Sequence, residues 1–553
     1  MRKCKIILIL ITTILISCSE EKTNSEKTVF RYNEAAGISS LDPVFSKDQA
    51  SIWPCTQLFN GLVQLDKDLK VVPCIARQWE ISEDGRVFTF HLRTDVFFHE
   101  NILLNPNTKS SEPATRNVTA EDFLFSLGRL VDPSVASPGA WVLNAVEKDS
   151  LGKMIGITVI NDSTLNIRLS DPFPAFLSLL SMPYCSVVPK EVVIHHGPDF
   201  RKHPCGTGPF KFSIWKEGVS LVFLRNENYF EYDGEHRLPF LDAIQISFIN
   251  DKQSAFIEFL KGNLDFISGL DASYKDELLT RDGKLQERHK NNFRLETLPY
   301  LNTEYLGILM KDQSKNSEQH ALQNKKVRQA LSLSFDKTKM ITFLRNNMGT
   351  PGIYGFVPPG MPFFDSLSVV GYHYDKAKAL SLLNEAGYPN GKGLPEIVLS
   401  TTSTYLDICE FIKSEWESIG FKIKIDVNQA AVHRKMVAEQ KLEFFRGSWI
   451  ADYPDAENYL SLFYSKNFAP SGPNYTHFKN EEYDKLYEQS SLETDDSLRS
   501  LLYIKMDQMI IDEAVTIVLY YDKVLRLTQN NISGLENNAM NLMVLKNVVK
   551  KKN

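Results

Sequence analysis

The residues best placed to do chemistry lie in the run Phe445-Arg446-Gly447-Ser448-Trp449-Ile450-Ala451-Asp452-Tyr453-Pro454-Asp455-Ala456-Glu457-Asn458-Tyr459-Leu460. Pro454 fixes its φ, and Asp455 then stands where an N-cap stands, ahead of a short apolar-periodic segment (Tyr459, Leu460, Phe463). That gives Asp455 a structural task and leaves Asp452 without one, close behind Trp449 and Arg446. A carboxylate beside an indole, with a guanidinium nearby, can receive a zwitterion: Asp takes the ammonium and Arg the carboxylate. The same spacing also suits a plainer arrangement, with Asp452 in an Asx-turn, Arg446 on a protein carboxylate and Trp449 in a core.

Other chemistries find less support. There is no Gly-x-Ser-x-Gly elbow and no Walker A sequence, and His99-Glu100 lacks the second His of a zinc-protease helix. A hydrolase with an unfamiliar dyad stays as the rival class. His195, His196, His203 and Cys205 are the one cluster of metal-ligand composition. Their gaps match no tetrahedral pattern, and the stretch reads as a solvated loop. Gly206-Thr207-Gly208-Pro209 has no Lys-Ser/Thr after it, so it is a poor phosphate cradle. Neither a metal nor another cofactor is expected.

At 553 residues the chain is too long for one core and implies two or three domains. A net charge of −6 gives no basic footprint for nucleic acid. At the N-terminus, Arg2, Lys3 and Lys5 precede an apolar run from Ile6 to Ile16, too short to span a bilayer. Leu15-Ile16-Ser17-Cys18 then resembles the lipobox of bacterial lipoproteins, which implies a signal peptide over 1–17 and a lipidated Cys18. Residues 18–28 read as a polar tether. The chain is thus expected to be anchored to the cell envelope, facing the periplasm or the outer cell surface. Beyond Cys4 and Cys18 five cysteines remain, an odd number that leaves at least one unpaired.

The elements that must carry these residues read as α/β. Ser82-Glu83-Asp84-Gly85 predicts a hairpin turn, followed by period-two alternation from Val87 to Arg93. Thr119 and Asp122 predict a capped helix start, and Asp336 and Asp375 cap two later helices, the second stopped by Gly387. Strand, helix and strand between Pro395 and Val427 make a βαβ crossover, hence a parallel sheet with ligand space at its carboxyl ends.

Taken in order, several segments resemble one family. They are Leu41-Asp42-Pro43, the Pro73-to-Trp79 segment, Thr119-Ala120-Glu121-Asp122, Gly206-Thr207-Gly208-Pro209, Val327-Arg328-Gln329-Ala330, the Pro358-to-Pro362 loop, Ala386-Gly387-Tyr388-Pro389 and the Trp449-x-x-Asp452 run. The series is similar to the dipeptide- and oligopeptide-binding proteins of bacterial ABC importers (extracellular solute-binding proteins, family 5), from the signal to about Arg526. The resemblance implies a two-lobed periplasmic-binding-protein-like α/β fold of class II type with an additional N-terminal subdomain. Lobe I would comprise 29–52, 188–283 and 515–545; the subdomain 53–187; and the other lobe 284–514. It implies that Asp452 holds a peptide α-ammonium, Arg446 its carboxylate and Trp449 the wall beside them, with Tyr521 and Tyr305 lining the pocket. Expected partners are short peptides, ABC permease and ATPase subunits, and the membrane through the N-terminal lipid, with the receptor a monomer. Nickel, haem, murein peptide and oligosaccharide are the rival ligands. Two departures stand out: an Asn-, Ser- and Thr-rich insertion over 100–117, and Leu309 where the family often has Asn.

Overall fold

The structure is a computed structural model that describes residues 27–106, 114–269, 274–310 and 321–551. Cys18, the signal segment and most of the tether lie outside the described residues, as do parts of the 100–117 insertion and of the loop after Met310.

An 11-stranded mixed sheet forms the frame. It includes β1 (Val29–Asn33), β2 (Phe293–Ile308), β3 (Phe444–Ile450) and β4 (Thr516–Gln529). β2 and β4 are long antiparallel partners, paired from Phe293 opposite Gln529 to Gly307 opposite Thr516. At one end β4 also pairs with Phe266–Ser268, which leads to β1 and then to the parallel strand Ala243–Ser247. At the other end β2 pairs with β3, which leads to the parallel pair Glu396–Thr402 and Lys422–Asn428. The β2–β4 register slips between Pro299 and Thr303. Pro299 has no N–H to give the ladder, so the regular pairing yields there. Two lobes therefore share one sheet and meet at an irregular waist.

The sequence signals that set local structure act as expected. Gly85 turns its hairpin at φ +67°. The Asp122 carboxylate accepts from Thr119 N at 2.9 Å at the start of helix α1 (Ala120–Val131). Asp336 accepts from Lys339 N at 3.0 Å to cap α2 (Lys337–Arg345), and Asp375 from Lys378 N at 2.9 Å. The crossover between Pro395 and Val427 is present, with a helix over Leu406–Glu417. Gly206 and Gly208 are fixed by packing: a Cβ would lie 2.1 Å from Leu58 O at the first and 2.4 Å from Gln57 O at the second.

One detail differs from expectation. His195 and His196 close a helix, Lys190–His196, instead of lying in a loop, because Pro189 starts that helix and Gly197 stops it. The His196 ring stacks on His203 at 4.4 Å, and no metal-binding group occurs among the described residues. Near the C-terminus, the short strand of Lys550 pairs with Ile532–Ser533, and its Nζ meets Asp265 and Val29 O at 2.8 and 2.9 Å. Cys55, Cys74, Cys185, Cys205 and Cys409 are all free and buried, and burial pushes the Cys55 thiol up to about 12.

Residues 53–187 carry a separate four-stranded antiparallel sheet, but its core runs unbroken into that of the first lobe (Phe30, Trp53, Phe88, Phe123, Phe223). The second lobe has two cores on opposite sides of its sheet, one around Trp416 and Phe444, the other around Tyr305, Phe356 and Phe463. Two residues cross between these bodies. Leu69, from the N-terminal subdomain, packs into the Phe356 core. Tyr453, from the second lobe, packs into the first lobe's core, its ring 6.3 Å from that of Trp141.

Candidate functional site

β3 carries alternate residues to opposite faces of the sheet, so its register decides what each can touch. Trp449 lies opposite Thr303, and Thr303 opposite Tyr521, which puts these residues and Tyr305 on one face. That face covers the Phe356 core. Tyr305 and Tyr521 are buried there, and the Tyr521 hydroxyl donates to Gly355 O at 2.5 Å. Trp449 is half-buried at the margin of the same core and donates from Nε1 to Asn458 Oδ1 at 2.9 Å. Asp452 N donates to the same oxygen at 3.3 Å, so one amide from α3 (Glu457–Leu460) aligns both residues.

β3 ends at Ile450, and Ala451 N donates to Leu301 O at 2.9 Å, which holds the following loop against β2. The Asp452 side chain is open to water yet enclosed by protein on most sides. Burial raises its pKa above the ordinary carboxylate value, opposed by the Asn458 hydrogen bond. Asp455, by contrast, is buried: it accepts from Glu457 N at 2.9 Å and from the Tyr503 hydroxyl at 2.9 Å. It braces the start of α3 by accepting from Glu457 N, but from one position further back than expected, because Ala456 and not Asp455 is the N-cap residue.

Arg446 lies on the other face of β3, with Glu304 of β2. The two form an ion pair, and the guanidinium carbon sits 3.3 Å from the centre of the Tyr405 ring. Asn302 Nδ2 donates to Glu304 at 3.1 Å and to Asp522 at 3.4 Å, and Asp522 accepts from Arg345 of α2 at 3.2 Å. A chain of two cations and two carboxylates thus crosses β2 and β4, with Asn302 as its neutral link. Burial pushes the Glu304 carboxyl up, while the Arg446 charge pulls it down. Arg446 Nε is buried without a hydrogen-bond partner among the described residues, so the guanidinium keeps donor capacity beyond Glu304.

Beyond this chain a crevice of about 400 Å³ opens at the waist. Gln49, Ser268 and Asn541 line it from the first lobe, Tyr300 and Arg345 from the second, and Asp522 from β4, which runs through the waist. Sequence reading singled out Arg446, Trp449 and Asp452 but missed Glu304, Asn302, Asn458, Arg345 and Asp522. The visible trace was the polar run Asn302-Thr303-Glu304 set between Pro299-Tyr300-Leu301 and Tyr305-Leu306. The arrangement is suited to recognising charge: one water-facing carboxylate, one buried ion-pair chain, and a crevice reached from both lobes.

Residues 70–471 match the family described as Bacterial extracellular solute-binding proteins, family 5 Middle. Heme-binding protein A of Haemophilus influenzae is 30% identical over 510 residues, covering 89% of this chain and 86% of the relative. Dipeptide-binding protein DppE of Bacillus subtilis is 26% identical over 548 residues, covering 96% and 93%. Among solved structures, HbpA2 from Haemophilus parasuis has a TM-score of 0.81 at 23% identity, covering 95% of this chain and all of the other, a likeness of fold. The match over most of its length places this chain in the bacterial extracellular solute-binding proteins of family 5.

Proposed function

We propose that the protein is a lipid-anchored receptor that captures short peptides between its lobes and delivers them to an ABC importer. The observation that carries this reading is Asp452, a water-facing carboxylate aligned by Asn458 and set beside the Trp449 indole. A peptide's α-ammonium would pair with Asp452, with Trp449 as the adjoining wall. Arg446 would offer its remaining donors to a ligand carboxylate while Glu304 holds its charge in place. Tyr305 and Tyr521 would serve from beneath, by fixing the strands that carry these groups. The lobes would divide as the sequence implies, with 29–52, 188–283 and 515–545 in one and 284–514 in the other. Anchoring would fall to Cys18. Recognition of unlike peptides rests on what all peptides share, their termini and backbone, with side chains left in hydrated space.

Native mass spectrometry of the soluble form beginning at Ser19, purified without denaturation, tests this directly. The expected result is bound peptides of mixed sequence and narrow length. In calorimetry with a defined peptide, Asp452→Ala should cost about 3–5 kcal/mol of affinity, because it leaves the ligand ammonium enclosed and unpaired. A protein that retains haem or a metal and takes up no peptide would overturn the proposal.

A further inference from the structure

Away from the waist, the first lobe holds a basin of about 1090 Å³, set where β1 and β2 begin and β4 ends. The strand from Phe293 to Pro299, where the β2–β4 register slips, puts about 20 Å between this basin and the waist. Five cations line the basin, Lys27, Arg31, Lys261, Lys550 and Lys551, against one carboxylate, Asp265. Asp265 is buried and already accepts from Lys550 Nζ at 2.8 Å and from Arg31 N at 2.8 Å. Lys261 meets Glu258 at 2.8 Å, but at the surface, where such a pair hides little charge. Lys27, Arg31 and Lys551 form no ion pair among the described residues. Lys27, Lys261 and Lys551 are exposed. Much of the remaining polar lining is neutral amide, including Asn291, Asn292, Gln529 and Asn530. The protein carries −6 overall, so these cations are gathered against its general balance.

The N-terminal tether joins the fold at the rim of the same basin. Thr28 is pinned to Asp242: its N and Oγ1 donate to one carboxylate oxygen at 2.7 and 2.9 Å, and its carbonyl accepts from Asp242 N at 2.9 Å. Ten residues lead from Cys18 to Thr28, so the fold at Thr28 can stand at most about 35 Å from a lipid on Cys18. Residues 19–26 hold Glu20, Glu21 and Glu26 against Lys22, so the tether itself offers an acidic surface no net attraction. The basin does.

Building on the lipid-anchored reading, we infer that this end of the first lobe is a membrane-docking surface. Lys27, Arg31, Lys261 and Lys551 meet the phosphates of anionic phospholipids in the bilayer that holds Cys18, and the amides of the rim donate to the same oxygens. Such attraction acts within about a Debye length, roughly 8–10 Å at physiological salt, which the anchor keeps in reach. A receptor seated this way holds its waist crevice clear of the lipid.

Co-sedimentation of the soluble form beginning at Ser19 tests this, with vesicles of phosphatidylcholine alone or with about 40% phosphatidylglycerol. At low salt the parent should partition at least tenfold more strongly onto the anionic vesicles, and high salt should remove the difference. The triple variant Lys27→Gln, Lys261→Gln, Lys551→Gln should lose the preference, with its thermal unfolding midpoint and its affinity for peptide those of the parent. A control of equal net charge, Lys378→Gln, Lys422→Gln, Lys424→Gln in the second lobe, should keep it. Equal partition of the parent onto both vesicles would overturn the inference, as would a triple variant that keeps the preference or a control that loses it. Mass spectrometry of the N-terminal fragment of the full chain, extracted from the membranes of a bacterial host, tests the anchor separately. A lipid on Cys18 without any vesicle preference leaves the anchor and removes the docking surface. An unmodified Cys18 with a preference that depends on the basin removes the anchor and leaves the surface as a reversible membrane contact.

Discussion

A carboxylate that must be ionised to hold an ammonium, yet is enclosed enough to resist ionisation, makes binding depend on pH. Burial lifts the Asp452 carboxyl above its ordinary value. A ligand ammonium would favour the charged form and draw that pKa back down. In the proposed receptor, affinity is greatest above the raised pKa and falls as pH drops through it. Mildly acidic buffer should therefore see a proton released on peptide binding, and pH 7, where the carboxylate and the peptide ammonium are both largely charged, should not. Calorimetry in two buffers of different ionisation heat measures the proton count. A count of zero at both pH values would place the ammonium elsewhere. The membership of the candidate site was partly legible in the sequence, because Trp449, Asp452 and Arg446 fall in one short run. Their partners were not. Glu304 meets Arg446 across 142 positions of chain, and only the β2–β3 register brings them to one face.

Elements with local signals were read well, since a cap or a turn is fixed by two or three neighbouring residues. Asp336, Asp375 and Gly85 each did what their types allow. β2 and β4 were not read as a shared pair, because alternation along a strand does not reveal which lobe lies beyond each end. The Gly206–Gly208 turn looked like a family signature, but its physical basis is contact. It packs against the end of the helix Gln49–Leu58, leaving no space for a side chain. Gly206→Ala would drive a Cβ to 2.1 Å from Leu58 O. The expected cost is about 1–3 kcal/mol in urea unfolding. An unchanged midpoint would mean that the turn and helix can separate freely.

Across the whole molecule, length and the crossover pattern foretold several cores, but not the exchange between them. Leu69 and Tyr453 each leave their own body to fill a core of the other. Burying one large apolar side chain contributes about 1.5–3 kcal/mol. Two such contacts would bias the ligand-free receptor toward the clasped arrangement, with ligand contacts to both lobes adding to that bias. The variant Leu69→Ala, Tyr453→Ala should then have a larger radius of gyration than the parent in small-angle scattering without peptide. Equal radii would show that the clasp does not govern opening.

The buried cysteines bear on how such opening can be watched. A thiol reacts through its thiolate, and the five described thiols are buried, with Cys55 pushed up to about 12. The folded soluble form beginning at Ser19 is therefore close to inert toward alkylating dyes at neutral pH. A cysteine introduced on the surface of each lobe would become its own address, and the native five can stay in place. A pair of fluorophores attached there would report the distance across the waist in a molecule otherwise unaltered, one opening at a time.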